Sequence, residues 1–174
     1  MSTLKVSTIA PLGTDATNTV SLQAGVRTSG FGKIAQIVQG STTSATNIAS
    51  TSFSDTGLSA SITPSSTSSK ILVVVNQNVV TNIDTNLGNS KIQLLRDSTT
   101  VISWAENIAR IEAGNQSAVK FGHLVTFNYL DSPSTTSSVT YKTQGAVSST
   151  SNNGQSQFQQ SSVSSLITLM EVLD

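Results

Sequence analysis

The feature that most constrains this fold is the distribution of apolar residues in a chain rich in hydroxyl side chains. Serine and threonine supply 55 of the 174 residues, yet the apolar residues form short, mostly alternating runs, the longest being Ile71–Val75. A disordered chain of this composition would lack such runs, because it has too little apolar surface to offset the entropy that is lost on ordering. The sequence therefore predicts a folded domain built from β-strands.

Two segments show the period of two that is typical of a strand with one buried face. In the first segment, Leu58, Ala60 and Ile62 alternate with polar residues. The second segment starts at Val119, and its predicted apolar face carries the alternate residues Val119, Phe121, His123, Val125, Phe127 and Tyr129. The run Ile71–Val75 is instead apolar on both faces, which predicts a strand in the middle of the structure.

The whole pattern predicts about eight strands separated by turn-rich loops, and it contains no amphipathic helix of about ten or more residues. We expect an all-β fold, an antiparallel β-sandwich that is jelly-roll-like, with a barrel or an intertwined trimeric β-bundle as the alternatives. Residues 1–30 have too little apolar content for a core of their own, and we expect an N-terminal docking arm there. Residues 31–174 then form the sandwich, in which residues 107–117 fit a helical turn or a connecting loop equally well.

The charge of the chain argues against several classes of ligand. Charged residues make up only 10% of the sequence, and nine Lys and Arg balance nine Asp and Glu. A chain without net charge is poorly suited to bind nucleic acid or an anionic membrane surface, and it lacks the repulsion that keeps monomers apart in solution. There is no cysteine, no apolar stretch near the roughly 18 residues of a membrane span, and no hydrophobic signal core at the N-terminus. We therefore expect assembly in the cytoplasm where the chain is made.

The ionisable residues offer few candidates for catalysis. The single histidine, His123, lies on a predicted apolar strand face, where we expect a core or interface residue with satisfied hydrogen bonds. Glu106 and Glu112 are close in sequence, but nothing in the pattern makes them converge. Asp84 and its neighbouring asparagines lack the glycine and the glutamate of a calcium loop, and Trp104 is expected in the core. We predict no catalytic, cofactor-binding or metal-binding residues and no enzymatic activity.

Five blocks of sequence, in the order in which they occur, resemble a family of bacteriophage virion proteins. These blocks are STLKVSTI, FSDTGLSASITPSSTSSKILVVVNQ, IQLLRDSTTVI, FNYLDSPSTTSSVTYKTQ and SLITLMEVL. The family is common in phages of cyanobacteria and other aquatic bacteria, and its members are described as tail-fibre-like or structural proteins. The resemblance covers most of residues 31–174, with a weaker match in the opening strand.

The resemblance implies a homotrimeric, β-structured component of the particle surface. Only 30 residues precede the module in this interpretation. A short fibre, a head fibre or a capsid decoration protein is therefore expected rather than a full-length fibre. We expect a non-enzymatic virion structural protein that trimerises through apolar strand faces, with the strands Val119–Tyr129 and Leu166–Leu173 as candidates. Residues 1–30 would dock it on other virion proteins or on a sister subunit.

Two other functions remain open from the sequence. A receptor-binding fibre tip would recognise host surface glycans through loops at one end of the trimer, with residues 82–90, 131–138 and 148–162 as candidates. A polysaccharide depolymerase would require Glu106 or Glu112 to face another carboxylate across a groove.

Overall fold

The computed structural model describes residues 34–83, 87–112, 119–150 and 153–173, with the backbone alone for residues 83, 87, 88, 104–107 and 109–112. These residues form ten strands: β1 (Ile34–Thr42), β2 (Thr46–Ile48), β3 (Ser54–Ile62), β4 (Lys70–Ile83), β5 (Leu87–Arg96), β6 (Thr99–Glu112), β7 (Val119–Asp131), β8 (Val139–Val147), β9 (Gln155–Phe158) and β10 (Ser165–Val172). In the described part of the chain, no helix is long and apolar enough to cross a membrane.

The strands form two antiparallel sheets that pack against each other. Sheet A contains β1, β2, β4, β7, β9 and β10, and sheet B has the order β3-β8-β5-β6. Strand β4 is central in sheet A, because β7 pairs with one of its edges while β10 and β9 share the other. The predicted central position of Ile71–Val75, which lies in β4, is confirmed.

The structure has ten strands where the sequence predicts about eight, because two strands of sheet A are each interrupted once. Strands β9 and β10 follow each other along one edge of β4, and β2 and β1 pair with them in turn. If β1 and β2 are counted as one strand, and β9 and β10 as another, the sandwich has eight strands. The combined first strand then pairs with the combined last strand, β3 pairs with β8, β4 with β7 and β5 with β6. Such nested pairing is a long hairpin rolled into two sheets, which is a jelly roll. The predicted fold class is confirmed.

The hydrophobic core lies between the inner faces of the two sheets, as the period of two predicts. Alternate residues of β4 are fully buried, and so is Tyr141 of β8. The larger cluster of buried apolar side chains comprises Leu58, Ile62, Ile71, Val73, Val75, Leu94, Val139, Tyr141, Ile167 and Leu169. A smaller cluster comprises Ile48, Val79, Ile92 and Phe158.

A belt of fully buried polar side chains crosses the interior, and the sequence did not predict it. This polar belt comprises Thr56, Gln77, Thr143, Gln159 and Ser165. The hydroxyl oxygens of Thr56 and Thr143 lie 2.6 Å apart, and Nε2 of Gln77 donates a hydrogen bond to the Thr56 hydroxyl at 2.8 Å. Because buried polar groups destabilise a fold unless they are hydrogen-bonded, these contacts allow a hydroxyl-rich chain to fill its own core.

Gln159 connects the polar belt to both sheets. It lies at the break between β9 and β10 with φ of 52°, and this left-handed conformation lets its side chain enter the core directly after the buried Phe158. Its amide nitrogen donates to the carbonyl oxygens of Ser44 and Thr56 at 3.2 and 3.1 Å, while its amide oxygen accepts from Gln77 Nε2 at 3.0 Å and from the Ser165 hydroxyl at 2.9 Å. All four hydrogen bonds of the amide are therefore satisfied inside the protein.

Strands β1 and β3 close one side of the sandwich by a direct approach of their backbones. A Cβ atom at Gly40 of β1 would collide with the carbonyl oxygen of Ser59 in β3, so the approach requires glycine. The amide of Gln36, also in β1, donates to the carbonyl oxygen of Thr63 at 2.7 Å. At the N-terminal end of the same strand, Ile34 pairs with Val172, so the first and last strands of the sandwich lie side by side.

One local prediction is wrong. Residues 107–112 form neither a helical turn nor a connecting loop, because they continue strand β6. The pairing of β6 with β5 shifts between Ser90 and Ile92, where β6 carries several extra residues. This irregularity disturbs the period of two and explains why the strand is hard to recognise from the sequence.

Candidate assembly surfaces

Asp131, at the C-terminal end of β7, is the centre of a buried cross-sheet contact. Its Oδ2 atom accepts hydrogen bonds from Nη1 of Arg96 and from the hydroxyl of Tyr141, both at 2.6 Å. Burial raises the pKa of the Tyr141 hydroxyl well above its usual value, and the hydrogen bond to Asp131 raises it further. The contact ties the end of β7 in sheet A to β5 and β8 in sheet B, which is a structural role.

Glu171, in β10, is a buried carboxylate that is also fully used by the fold. It accepts hydrogen bonds from the backbone amide and hydroxyl of Ser65 at 2.7 and 2.6 Å, and from Nε2 of Gln36 at 2.7 Å. Burial raises the pKa of the Glu171 carboxyl, but these donors together outweigh burial and lower the pKa to about 2. The charge fastens the loop after β3 and the start of β1 to the last strand.

The two other described carboxylates make similar contacts at the surface. Asp55 accepts hydrogen bonds from Nε2 of Gln144 at 2.7 Å and from Nζ of Lys142 at 2.9 Å, and both lower its pKa. Asp97 accepts from the backbone amide of Thr140 at 2.9 Å. Each described carboxylate is therefore bound to donors that hold strands together. Among the described side chains, no group of three or more histidines and acids could hold a metal ion.

His123 does not have the satisfied hydrogen bonds that we expected. It is half-buried in β7, and neither ring nitrogen has a hydrogen-bond partner among the described residues. Its ring stacks on the ring of Phe121 with a centroid distance of 5.6 Å. Burial lowers the pKa of the imidazole, although the nearby backbone of Phe121 opposes this. His123 lines a cleft between β6 and β7, and Phe121 beside it is 53% exposed.

An unbroken row of apolar side chains crosses the outer face of sheet A. In register, Ile37 of β1 pairs with Met170 of β10, Met170 pairs with Leu72 of β4, and Leu72 pairs with Leu130 of β7. We call these four residues the apolar row. Its two ends, Ile37 and Leu130, are 60% and 50% exposed. Large apolar side chains aligned across four strands are typical of a surface that is covered in an assembly.

The neighbouring residues extend the apolar row. Ile34 and Val172 form the next pair towards the end of the sheet, and Val74 follows Leu72 on the same face of β4. A bulge between Ile34 and Gln36 lets both isoleucines of β1 point outward although they are three residues apart. The strand Leu166–Leu173, one of the two candidates from the sequence, thus supplies Met170 and Val172 to this face.

The three candidate receptor loops do not lie together. Gln155 follows the loop 148–154 and pairs with Asn82, near the C-terminal end of β4, whereas Asp131 precedes the loop 132–138 and pairs with Ile71, at the N-terminal end. Residues 131–138 and the described residues 148–150 and 153–154 are therefore at opposite ends of the sandwich, and the grouping of all three loops at one end is wrong. Much of the segment 82–90 is strand rather than loop.

Several residues singled out in the sequence lie outside the described residues. These are the predicted arm, residues 1–30, and the acidic loop residue Asp84. Glu106, Glu112 and Trp104 have a described backbone in β6, but their side chains are outside the description. The arm and the depolymerase hypothesis therefore stay predictions.

Comparisons with known proteins add no relative from which a function could be inferred. No protein-family model matches the chain. No curated protein matches it either.

Proposed function

We propose that this protein is a non-enzymatic structural protein of a bacteriophage particle, and that it acts on the particle surface as a homotrimer. The proposal takes one of three forms, a short fibre, a head fibre or a capsid decoration protein. The family resemblance supplies the virion context. The observation that carries the proposal is the apolar row, which gives a jelly-roll domain a surface for repeated copies of itself.

The use of ionisable groups supports assembly rather than catalysis. Catalytic groups are typically held in a cleft with a perturbed pKa and without a purely structural partner. The described carboxylates Asp55, Asp97, Asp131 and Glu171 instead all fasten strands or loops of the sandwich. His123 has no hydrogen-bond partner that would orient it as a general base among the described residues.

The apolar row supports self-association through the outer face of sheet A. Its members are aliphatic side chains or methionine, and the paired residues of the flanking row, Ile34 and Val172, are also apolar. A zero net charge adds little repulsion between copies. In a closed ring, weak contacts of this kind are multiplied by the number of subunits.

The first experiment tests the trimer. Native mass spectrometry and analytical ultracentrifugation of the purified full chain should give masses that are multiples of three chains. The substitution Ile37→Lys places a charge in the apolar row and should abolish the three-fold species. Val163→Lys is the matched control, because Val163 is 45% exposed but lies in the turn before β10. A mass unchanged by Ile37→Lys would contradict the proposed surface.

The second experiment tests the virion location. Antibodies against the purified chain are used for immunogold labelling of gradient-purified phage particles, and the particle proteins are measured by mass spectrometry. We expect the chain in particles at a fixed ratio to the major capsid protein. Detection in the lysed host cells but not in purified particles would overturn the proposal.

A further inference from the structure

Strand β7 has a long edge that no other described strand covers. Over thirteen residues, from Val119 to Asp131, β7 pairs with β4 along one edge, and the described residues provide no strand for the other edge. An edge of this kind presents a row of backbone donors and acceptors that can pair with another strand.

Between its two ends, strand β7 also lacks the features that normally protect an edge. Its register with β4 is continuous over the whole strand, without a bulge, and it contains no proline. Lys120 is its single lysine or arginine, near the N-terminal end. Leu124, close to the middle, is 61% exposed. Natural proteins usually interrupt such an edge with a bulge, a proline or inward-pointing charges. The inward-pointing charge of β7, Asp131, lies at its C-terminal end, so the open middle of the edge indicates a partner strand.

The side-chain pattern of β7 is complementary to itself. In an antiparallel pairing of two β7 strands centred on Phe127, Leu124 of each copy faces Leu130 of the other, and Thr126 faces Asn128. Shifting the centre by one residue to either side places both leucines opposite polar residues or glycine. The centred register therefore pairs apolar with apolar and polar with polar, which is what fixes register in sheets.

The same register gives His123 a candidate hydrogen-bond partner. It places the imidazole, whose ring nitrogens have no partner within the described part of one chain, opposite Asp131 of the second copy. Directly opposed residues of an antiparallel pair have Cα atoms about 4.5–5.5 Å apart, so the Asp131 carboxylate would lie near the ring. Its Oδ2 atom is held by Arg96 and Tyr141 of its own copy, so Oδ1 is the atom that would accept from the imidazole. This observation is independent of the exposed leucines and selects the same pairing.

We infer that β7 of one copy pairs antiparallel with β7 of a second copy across a two-fold axis at Phe127, so that sheet A continues from one molecule into the next. The contact joins residues 123–131 of both copies. It rests on the proposed function only in that both concern self-assembly, because it uses the edge of β7 and a different symmetry, although Leu130 belongs to both contacts. Combined with the proposed three-fold contact, it predicts closed assemblies with an even number of trimers, the smallest of which is a hexamer.

Native mass spectrometry separates the two contacts. If both exist, the full chain is a hexamer or a larger closed assembly with an even number of trimers. Leu124→Lys then yields trimers, Ile37→Lys yields dimers, and Val163→Lys leaves the assembly of the unmodified chain.

If the three-fold contact is wrong and the inference is right, the unmodified chain is a dimer and Leu124→Lys is a monomer. An assembly of any size that Leu124→Lys leaves unchanged overturns the β7 pairing, and a monomeric unmodified chain overturns both. The substituted leucine and isoleucine are almost equally exposed, so a general effect on folding would appear in both variants.

Cysteine cross-linking tests the register directly, because the natural chain contains no cysteine. The variants Thr126→Cys and Asn128→Cys are purified separately, one with a short mass tag, and mixed under mild oxidation. In the inferred register the two cysteines are directly opposite, so the mixture should form a disulfide-linked heterodimer at least tenfold faster than either variant alone. Equal rates in the mixture and in the separate variants would contradict this register.

Discussion

At the scale of single residues, the structure explains how a chain that is one-third serine and threonine can have a core. The polar belt places hydroxyl and amide groups between the sheets and pairs most of them with one another, Oε1 of Gln77 being the exception. Gln159 makes four of these contacts, to the carbonyl oxygens of Ser44 and Thr56 and to the side chains of Gln77 and Ser165. Removal of such a group leaves its partners buried and unpaired, which costs more than an ordinary surface hydrogen bond contributes.

The first prediction concerns this amide. Gln159→Leu keeps a similar volume but removes all four hydrogen bonds, so we expect a loss of about 2–4 kcal/mol in the free energy of unfolding, at about 1–3 kcal/mol for each strongly affected group. Gln39→Leu is the control, because Gln39 makes an exposed hydrogen bond to Thr168 at 3.1 Å. Urea denaturation of both variants measures the difference. A loss for Gln159→Leu no larger than that of the control would show that the belt is not important for stability.

The second prediction concerns the pH dependence that Glu171 produces. Its folded pKa of about 2 lies below its ordinary value of 4.5. The ionised carboxylate therefore stabilises the fold fully above about pH 5.5, and this stabilisation is lost as the pH falls towards about 2. Glu171→Gln should be less stable than the natural chain at neutral pH, and the two unfolding free energies should converge as the pH falls.

The measurement is a series of urea denaturation curves between neutral pH and the lowest pH at which the chain stays soluble. Asp55→Asn serves as the comparison, because Asp55 also has a lowered pKa but lies at an exposed contact with Lys142. Asp55→Asn should change the pH dependence of the free energy of unfolding less than Glu171→Gln does, since solvent weakens exposed ion pairs. If the free energies of unfolding of the natural chain and of Glu171→Gln differ by the same amount at every pH, the assigned role of the buried carboxylate is contradicted.

At the scale of strands, the close contact between β1 and β3 provides a third prediction. Gly40→Ala forces a methyl group against the backbone of Ser59, so one strand must move, and we expect a loss of about 1–3 kcal/mol. Gly122→Ala in β7 is the matched control, because its new methyl group would meet Val80 at an ordinary 3.5 Å. Thermal and urea unfolding should show a clear loss for the first variant and little change for the second. Equal effects would mean that the β1–β3 contact adjusts easily.

Strand positions were predictable where the pairing is regular. The alternation of Leu58, Ala60 and Ile62 and the double-faced run Ile71–Val75 both appear in the structure as predicted. Prediction failed at irregularities, since the extra residues of β6 opposite Lys91 interrupt its period. The break between β9 and β10 was equally hidden, because it depends on a left-handed glutamine whose side chain finds its partners only in the folded core.

At the scale of the whole molecule, the sequence indicated the jelly-roll architecture but not the arrangement of its surfaces. The apolar row joins residues from four strands that are far apart in the chain, and their alignment depends on the register of three strand pairs. No local pattern contains that information. For the same reason the sequence placed three loops at one end, whereas the course of β4 separates residues 131–138 from residues 148–150 and 153–154.

The pairing of Ile34 with Val172 has a mechanical consequence. Because the sandwich begins and ends at neighbouring positions of β1 and β10, a pulling force between its two ends acts across the hydrogen bonds at one corner. Those bonds then break one after another, as in a zipper, instead of resisting together in shear. A domain with this geometry yields at low force when stretched by its ends, so it is better suited to carry loads that arrive sideways through its sheets.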